Sequence, residues 1–457
     1  MYDTIVIGGG AGGLTTSIGL ASAGKKVLLI EKDHLGGECT WGGCVPSKSF
    51  ISASKTASTL TEALEMALKN VHAIGDSELP HISNFKNIDF VKGEGTFIDK
   101  NTILVNGQQY IGKYIVISTG SSPFIPNIKG LNKVKYLANH NFFYEKGDYK
   151  SITLIGAGVI SLELAFPLKK LNIDVTILEK SDIFLPMMEA EVRDFYLNKL
   201  KEAGINLILN CTSMEIENTD NNILIKTNNG DFLSEKIFIS AGRTPNIQNL
   251  NLDKTKIKYD TKGISVDEFM RTSEKNIFAI GDIASSFKFS HVAGYQGEIV
   301  VRNILFPYIM KKIDYSFIPW TLFGDIEVSK VGLNEEDAHK KYKKTYIYSL
   351  DLNNERSLIT FEKAFFLKII CDNRFNIVGA TCIGERAGEI IGFLQLMIGN
   401  KVKFYKDDDI LISKLKVFEK SLENKSIISI RDEDGSFYIQ KDRIILIKSE
   451  HVDTIVE

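Results

Sequence analysis

Two cysteines, Cys39 and Cys44, lie in the run Gly36-Gly37-Glu38-Cys39-Thr40-Trp41-Gly42-Gly43-Cys44-Val45-Pro46-Ser47-Lys48. A close thiol pair stores two electrons, which it releases on closing to a disulfide and takes up on opening. The run follows closely on Glu31, the last residue of a dinucleotide-binding pattern described below. A dithiol beside a bound dinucleotide can exchange two electrons with it. In a reducing compartment such a pair is catalytic or metal-binding more often than structural. On residue types alone, a metal half-site and two unlinked core thiols remain as alternatives. Pro46 fits a first helical turn, a helix N-terminus lowers a thiol pKa, and Lys48 falls one turn beyond Cys44 on the same face. The other three cysteines, Cys211, Cys371 and Cys382, sit in apolar surroundings and read as core.

The elements that must position this pair are legible on its N-terminal side. Residues 2–8 form a short apolar strand, and Gly8, Gly10 and Gly13 follow as G-x-G-x-x-G. A helical pattern runs to Ala23, Gly24 stops it, and Val27–Ile30 makes a second strand that leads into Glu31. This is a βαβ dinucleotide fingerprint in its required context. Gly8 permits the tight turn, Gly10 lets backbone approach a pyrophosphate, and Gly13 lets helix pack on strand. The helix N-terminus faces the phosphates, and Glu31 accepts ribose hydroxyls.

The pattern recurs. Ser151–Ile155 is a strand, Gly156 and Gly158 follow, and a helix leads to the strand Val175–Leu178 and Glu179. Glu31 lies 23 residues after Gly8, and Glu179 lies 23 residues after Gly156. The third glycine is replaced by Ser161, which is still small. Glu179 suits a free 2′-hydroxyl and repels a 2′-phosphate, which favours NADH over NADPH. Two units imply two dinucleotides, and the usual pairing is a resident flavin with an exchanging nicotinamide.

Bulk properties bound the rest. The chain has 457 residues, 44% hydrophobic and 25% charged, which points to a globular protein of several domains. With 55 basic and 57 acidic residues the net charge is −2, so no global field attracts nucleic acid or anionic lipid. No run reaches the roughly 18 apolar residues of a membrane span. The strand beginning at Tyr2 leaves no room for a targeting peptide, and the expected location is the cytoplasm.

These motifs resemble, in order over residues 1 to about 400, the class I pyridine nucleotide-disulfide oxidoreductases. That family includes dihydrolipoamide dehydrogenase, glutathione reductase and mercuric reductase. Gly8, Gly10, Gly13 and Glu31, with Lys32 beside it, match the FAD unit, and Cys39 and Cys44 with Val45–Lys48 match the redox-active disulfide. Ser118-Thr119-Gly120 matches a strand-end motif, and Ile277–Asp282 matches a second FAD motif through Gly281 and Asp282. Gly156, Gly158 and Glu179 match the NAD unit, which Ala241–Asn246 closes through Gly242 and Arg243. Ser329–Leu333 and Gly384–Gly388 resemble the interface domain through which the family dimerises.

The resemblance implies an α/β fold with two Rossmann-like domains and an α+β dimerisation domain. The FAD domain would take residues 1–143 and 265–318, the NAD domain 144–264, and the interface domain 319–457. Within the last, Phe365–Ile370 and Ile377–Cys382 read as a hairpin around Asp372-Asn373, and Ile427–Arg431 and Phe437–Ile447 as another around Asp434-Gly435. The implied protein is a homodimer with one FAD per subunit and NADH as donor. Electrons pass from NADH through flavin to Cys44, the sulfur nearer the ring, and Cys39 then meets the substrate. Lys48 would pair with Glu163 beside the flavin. Trp41, between the cysteines, either packs or shapes the approach to them.

One expected feature is missing. The disulfide-reducing members carry a C-terminal His that protonates the leaving thiolate and a Glu five residues later that orients it. Aligning Glu419 with that Glu puts Lys414 where the His belongs. Lysine titrates near 10.4 and imidazole near 6.5, so Lys414 shuttles protons poorly unless desolvated. His291, in a Ser-His-Val-Ala segment after Asp282, reads as a feature near the flavin and not as the acid/base. The last cysteine is Cys382, so the C-terminal cysteine pair of mercuric reductases is not found either. The leading expectation is an NADH-linked FAD disulfide oxidoreductase of unknown acceptor, which could be a thiol, a disulfide or another small molecule. The alternatives are a dihydrolipoamide dehydrogenase with a substituted acid/base and a non-catalytic redox-sensing or assembly flavoprotein.

Overall fold

The computed structural model describes residues 1–220, 222–351, 366–404, 427–432, 435–439 and 451–456. It divides into two compact units, Met1–Phe184 with Asn198–Ile313, and Leu185–Leu197 with Asp314–Glu457.

The first unit is built on two parallel sheets. In the larger, Ile88–Lys92, Val27–Glu31, Tyr2–Ile7 and Gln108–Ile117 lie side by side, and Ile277–Ala279 pairs parallel with Gln108–Ile117. Ile5, Ile7, Leu28, Ile30, Ile115 and Ile117 enter one apolar layer, while Val6, Leu29, Val116 and Phe278 enter the other. A strand side chain alternates faces, so apolar residues at every position bury the sheet on both sides. That explains why the sequence runs through these strands without alternation.

The smaller sheet orders Asn206–Ile208, Asp174–Leu178, Ser151–Ile155 and Lys236–Ile239, all parallel. A three-stranded antiparallel sheet, Met214–Asn218, Ile223–Thr227 and Gly230–Ser234, contributes to the same core. Eight helices are needed to describe the site: α1 (Ala11–Ser22), α2 (Gly37–Trp41), α3 (Cys44–Ala53), α4 (Leu60–Ser83), α5 (Asn139–Phe142), α6 (Val159–Lys170), α7 (Ala190–Glu202) and α8 (Ser290–Leu305). The first residues of α7 belong to the second unit.

The second unit holds a five-stranded antiparallel sheet in the order Pro319–Leu322, Glu327–Gly332, Ile377–Gly384, Phe366–Cys371 and Tyr346–Asp351. The helix Ala387–Gly399 covers one face through Ile391, Leu394 and Ile398. The hairpin expected around Asp372 is present, but its turn takes five residues. Asp372 Oδ1 accepts from the backbone of Arg374 and Asn376, and Phe375 occupies the left-handed region at φ 63°. Near the C-terminus, Ile427–Asp432 and Gly435–Ile439 pair antiparallel, and His451–Val456 adds a third strand. The expected second strand, 437–447, thus begins earlier, and 440–450 fall outside the described residues. Lys414 and Glu419 also lie outside them.

Candidate active site

Cys39 sits in α2, a single turn, and Cys44 is the first residue of α3. Both are free thiols, Cys39 half-buried and Cys44 exposed. Cys44 Sγ lies 3.7 Å from the hydroxyl of Ser290, the first residue of α8. Two helix N-termini therefore meet at one sulfur, and their partial positive charges favour a thiolate there. The Cys44 pKa is lowered to about 5, first by the hydrogen bond donated from Cys39, then by the Lys48 ammonium, Ser290 and His291. Crowding around the sulfur opposes the shift without cancelling it. Cys39 moves up in the same exchange, because it keeps the shared proton and is partly desolvated. The reduced pair thus divides its charge unequally, with thiolate on Cys44 and thiol on Cys39.

Lys48 Nζ bonds both carboxylate oxygens of Glu163, at 3.0 and 2.8 Å. The Glu163 side chain is 6% exposed and that of Lys48 36%, so the cation reaches toward solvent from a buried anchor. Glu163 lies on α6, whose N-cap is Gly158, so one ion pair connects the second βαβ unit to the redox helix. Trp41 is fixed as well. Its Nε1 donates to Leu35 O at 2.8 Å, its ring lies 4.6 Å from His34 and 5.8 Å from His72, and its carbonyl accepts from Tyr144. These contacts account for Trp41 as a packing residue that holds α2 between the two cysteines.

The two βαβ turns are near replicas. Gly8 and Gly156 have φ of 104° and 105°, a region costly for any residue with a Cβ. Gly10 and Gly158 begin α1 and α6 with no side-chain cap, so the first-turn amides keep their donors for a ligand. Glu31 accepts from Gly9 N at 2.6 Å and Asp33 N at 2.7 Å; Glu179 accepts from Ala157 N at 2.7 Å and Ser181 N at 2.9 Å. A Cβ at Gly13 would overlap Gly8 O, whereas one at Gly158 would meet nothing within 4 Å. The first glycine of each turn serves the backbone, and the helix-starting glycine leaves open space for a pyrophosphate. Both cradles fit a dinucleotide.

The remaining expected residues fall in three places. Thr119 and Gly120 are laced to Asn246, whose amide nitrogen donates to Thr119 O at 2.8 Å and whose backbone nitrogen donates to Gly120 O at 3.0 Å. Gly281 has φ 75° and donates to Gln296 Oε1 at 2.6 Å, which places Asp282 at the end of the larger sheet. Lys32 stays on the surface with Asp33 at 3.9 Å. Gly242 has φ 127°, and Arg243 follows it at the start of the short strand Arg243–Pro245. Its guanidinium bonds Glu38 and Ser121 and lies 3.4 Å from Asp282.

Sequence reasoning passed over Ser290, Glu38, Ser121 and Asn139. Ser290 was adjacent to a residue singled out, His291, and Glu38 lay inside the redox run, so both were within reach of a motif. Ser121 and Asn139 carry no local signal. Among the described residues, no cluster of three or more His, Cys, Asp or Glu could hold a metal, and no helix is long and apolar enough to cross a membrane.

The same arrangement is found in known proteins. A family model described as pyridine nucleotide-disulphide oxidoreductase matches residues 2–297, and one described as the dimerisation domain of that family matches 318–414. Mercuric reductase of Staphylococcus aureus is 31% identical over 415 residues, covering 85% of this chain and 76% of the relative. Dihydrolipoyl dehydrogenase of Geobacillus stearothermophilus is 31% identical over 430 residues, covering 87% and 89%. A solved structure, the HOCl-induced flavoprotein disulfide reductase RclA from Escherichia coli, superposes with a TM-score of 0.81 at 25% identity, covering 87% of this chain and 93% of that one.

Proposed function

The chain belongs to the pyridine nucleotide-disulphide oxidoreductases, FAD-dependent flavoproteins, and from that membership we propose that it moves electrons from NADH through FAD to Cys39 and Cys44 and on to a non-disulfide acceptor. The observation that carries this reading is the geometry at Cys44, which opens a helix 3.7 Å from the Ser290 hydroxyl and one turn before Lys48, itself anchored on Glu163.

Bound FAD would supply a two-electron carrier that accepts hydride on one side and reduces a disulfide on the other. Gly8, Gly10, Gly13 and Glu31 would hold its adenosine and pyrophosphate, and Thr119, Gly120, Gly281 and Asp282 the remainder. Gly156, Gly158 and Glu179 would hold the nicotinamide cofactor, with Glu179 favouring NADH through the ribose hydroxyl. Lys48, anchored by Glu163, sets a positive charge beside the pair. When the Cys39–Cys44 bond takes up two electrons and one proton, the proton stays on Cys39 and the charge on Cys44. Cys39 is then the sulfur available to an acceptor.

The acceptor class is argued from the chain around Lys414 and Glu419. An organic disulfide leaves as a thiolate and needs a proton donor, a contribution of roughly 10²–10⁴-fold. Lys414 replaces the residue expected to give it. A soft metal ion or an inorganic oxidant draws electrons from a dithiol without that step. The names of the relatives span this choice, from mercuric reductase to dihydrolipoyl dehydrogenase. The family's dimerisation domain supports a homodimer.

Anaerobic titration with NADH tests the input half: the flavin should bleach and a long-wavelength thiolate absorption should grow in, absent from Cys44→Ser. A flavin that stays oxidised would rule out the enzyme reading. An NADH-oxidation screen with dihydrolipoamide-type disulfides, glutathione disulfide, thiophilic metal ions and hypochlorite-type oxidants tests the output half. Turnover of an organic disulfide faster than every metal ion and oxidant would refute the proposed acceptor class.

A further inference from the structure

Taking the flavin reading above as given, we propose that Arg243 is a positioning residue that ties the redox helix to the flavin cradle, through Glu38 on one side and Asp282 on the other. Three segments far apart in sequence meet at its guanidinium. Nη2 donates to Glu38 Oε2 at 2.6 Å and to Ser121 O at 2.7 Å; Nε donates to Ser121 Oγ at 2.6 Å and lies 3.4 Å from Asp282 Oδ2. Ser121 Oγ in turn donates a hydrogen bond to Asp282 Oδ2 at 2.5 Å. Lys288 Nζ holds the Arg243 carbonyl at 3.0 Å. The strand pairing of Arg243–Pro245 with Ser121–Pro123 brings these groups into register.

Each end of this network has a consequence. Glu38 immediately precedes Cys39 in a helix of only five residues. One of its oxygens is taken by Arg243, and the other accepts from the side-chain amide of the buried Asn139. With Trp41 pinned at the far end of the same turn, Cys39 is clamped from both sides. At the other end, Asp282 has Oδ2 engaged, while Oδ1 makes no hydrogen bond among the described residues. The carboxylate is thus fixed in one orientation with an acceptor to spare, as a flavin-binding Asp requires.

The side chains of Arg243, Asp282 and Glu38 are 16%, 20% and 32% exposed, so screening by water is incomplete. A planar guanidinium with donors on two edges fits this geometry, and an ammonium, whose donors radiate from one atom, could not span Glu38 on one edge and Ser121 Oγ on the other. Removing the cation leaves two carboxylates facing each other with Ser121 between them. The same change should therefore loosen the flavin and the thiol together, which a residue contacting only the nicotinamide would not do.

The holoenzyme, Arg243→Met, Arg243→Lys, Glu38→Gln and the Arg243→Met/Glu38→Gln pair would be compared. The readouts are FAD dissociation, followed by flavin fluorescence, and alkylation of Cys39 in the reduced protein. Arg243→Met should weaken FAD by about tenfold or more, the scale of one lost charge-assisted hydrogen bond, and should speed Cys39 alkylation several-fold. Arg243→Lys should recover little. Adding Glu38→Gln to Arg243→Met should restore part of the FAD affinity by removing one unpaired carboxylate. Glu38→Gln alone should speed Cys39 alkylation, and it decides the matter if Arg243→Met does not fold. FAD affinity and Cys39 reactivity equal to wild type in these variants would overturn the inference, as would a change confined to the KM for NADH. A wild-type protein that neither carries nor takes up FAD would overturn the functional reading itself.

Discussion

Replacing Cys39 with Ala should raise the Cys44 midpoint from about 5 by roughly one to two pH units. The hydrogen bond from Cys39 is the largest of the groups that lower it. A hydrogen bond to a charged group contributes about 1.5–3 kcal/mol, and one pH unit corresponds to 1.36 kcal/mol. Lys48, Ser290 and His291 remain, so the variant should still titrate below the ordinary thiol value of 9.0. The sign is that of an acid whose folded midpoint is depressed. The stabilisation is complete above the unfolded thiol's midpoint and is lost as pH falls through the folded one, about 5 in the wild type. The assay is alkylation of the reduced holoenzyme by iodoacetamide between pH 4 and 10, with the labelled cysteine identified by peptide mass. A wild-type Cys44 midpoint at or above 8, or a Cys39→Ala midpoint no higher than the wild type's, would refute the charge division on which the proposed electron path depends.

Three further outcomes are expected. Lys48→Met takes the ammonium away from the nearly buried Glu163 carboxylate and should lower stability by about 1–3 kcal/mol, less than a fully buried pair because Lys48 is partly solvated; Lys48→Met/Glu163→Leu should recover most of it in a denaturant titration. Glu179→Ala should cut the ratio of kcat/KM for NADH over NADPH by about tenfold, since the carboxylate that favours a 2′-hydroxyl is gone; an unchanged ratio would remove Glu179 from cofactor choice. Lys414→His should raise the rate with an organic disulfide by at least tenfold at pH 7 while leaving metal-ion reduction near its starting value, and equal effects on both acceptors would show that the substitution does not set specificity.

The parts of this protein that could be read from its chain are those where chemistry and backbone geometry demand particular residues at fixed spacing. Gly8 and Gly156 sit at φ 104° and 105°, a conformation that selects glycine. Glu31 and Glu179 recur at one interval because each must reach back across a βαβ unit to its own turn. Cys39, Cys44 and Lys48 are neighbours in one short run, so their helix placement followed from local pattern. The hairpin around Asp372 was located correctly, while the side-chain bonds by which Asp372 caps its five-residue loop lie beyond what dipeptide signals contain.

What only the tertiary structure decided are the contacts between distant segments. Lys48 and Glu163 are 115 positions apart, and their pairing depends on α6 reaching α3. Ser290, 246 positions from Cys44, meets it because α8 begins where α3 begins. Arg243 was assigned from its motif to the nicotinamide cofactor, and the fold adds what the motif does not contain, a guanidinium joined to Glu38, Ser121 and Asp282. A long, flexible side chain has many partners within reach, and a motif fixes its backbone without choosing among them. For the cysteine pair, the chain alone supplied two sulfurs able to store electrons. Which sulfur carries the charge was decided first by the hydrogen bond that Cys39 donates to Cys44, then by Lys48, Ser290 and His291, groups whose geometry at the sulfur only the folded protein sets.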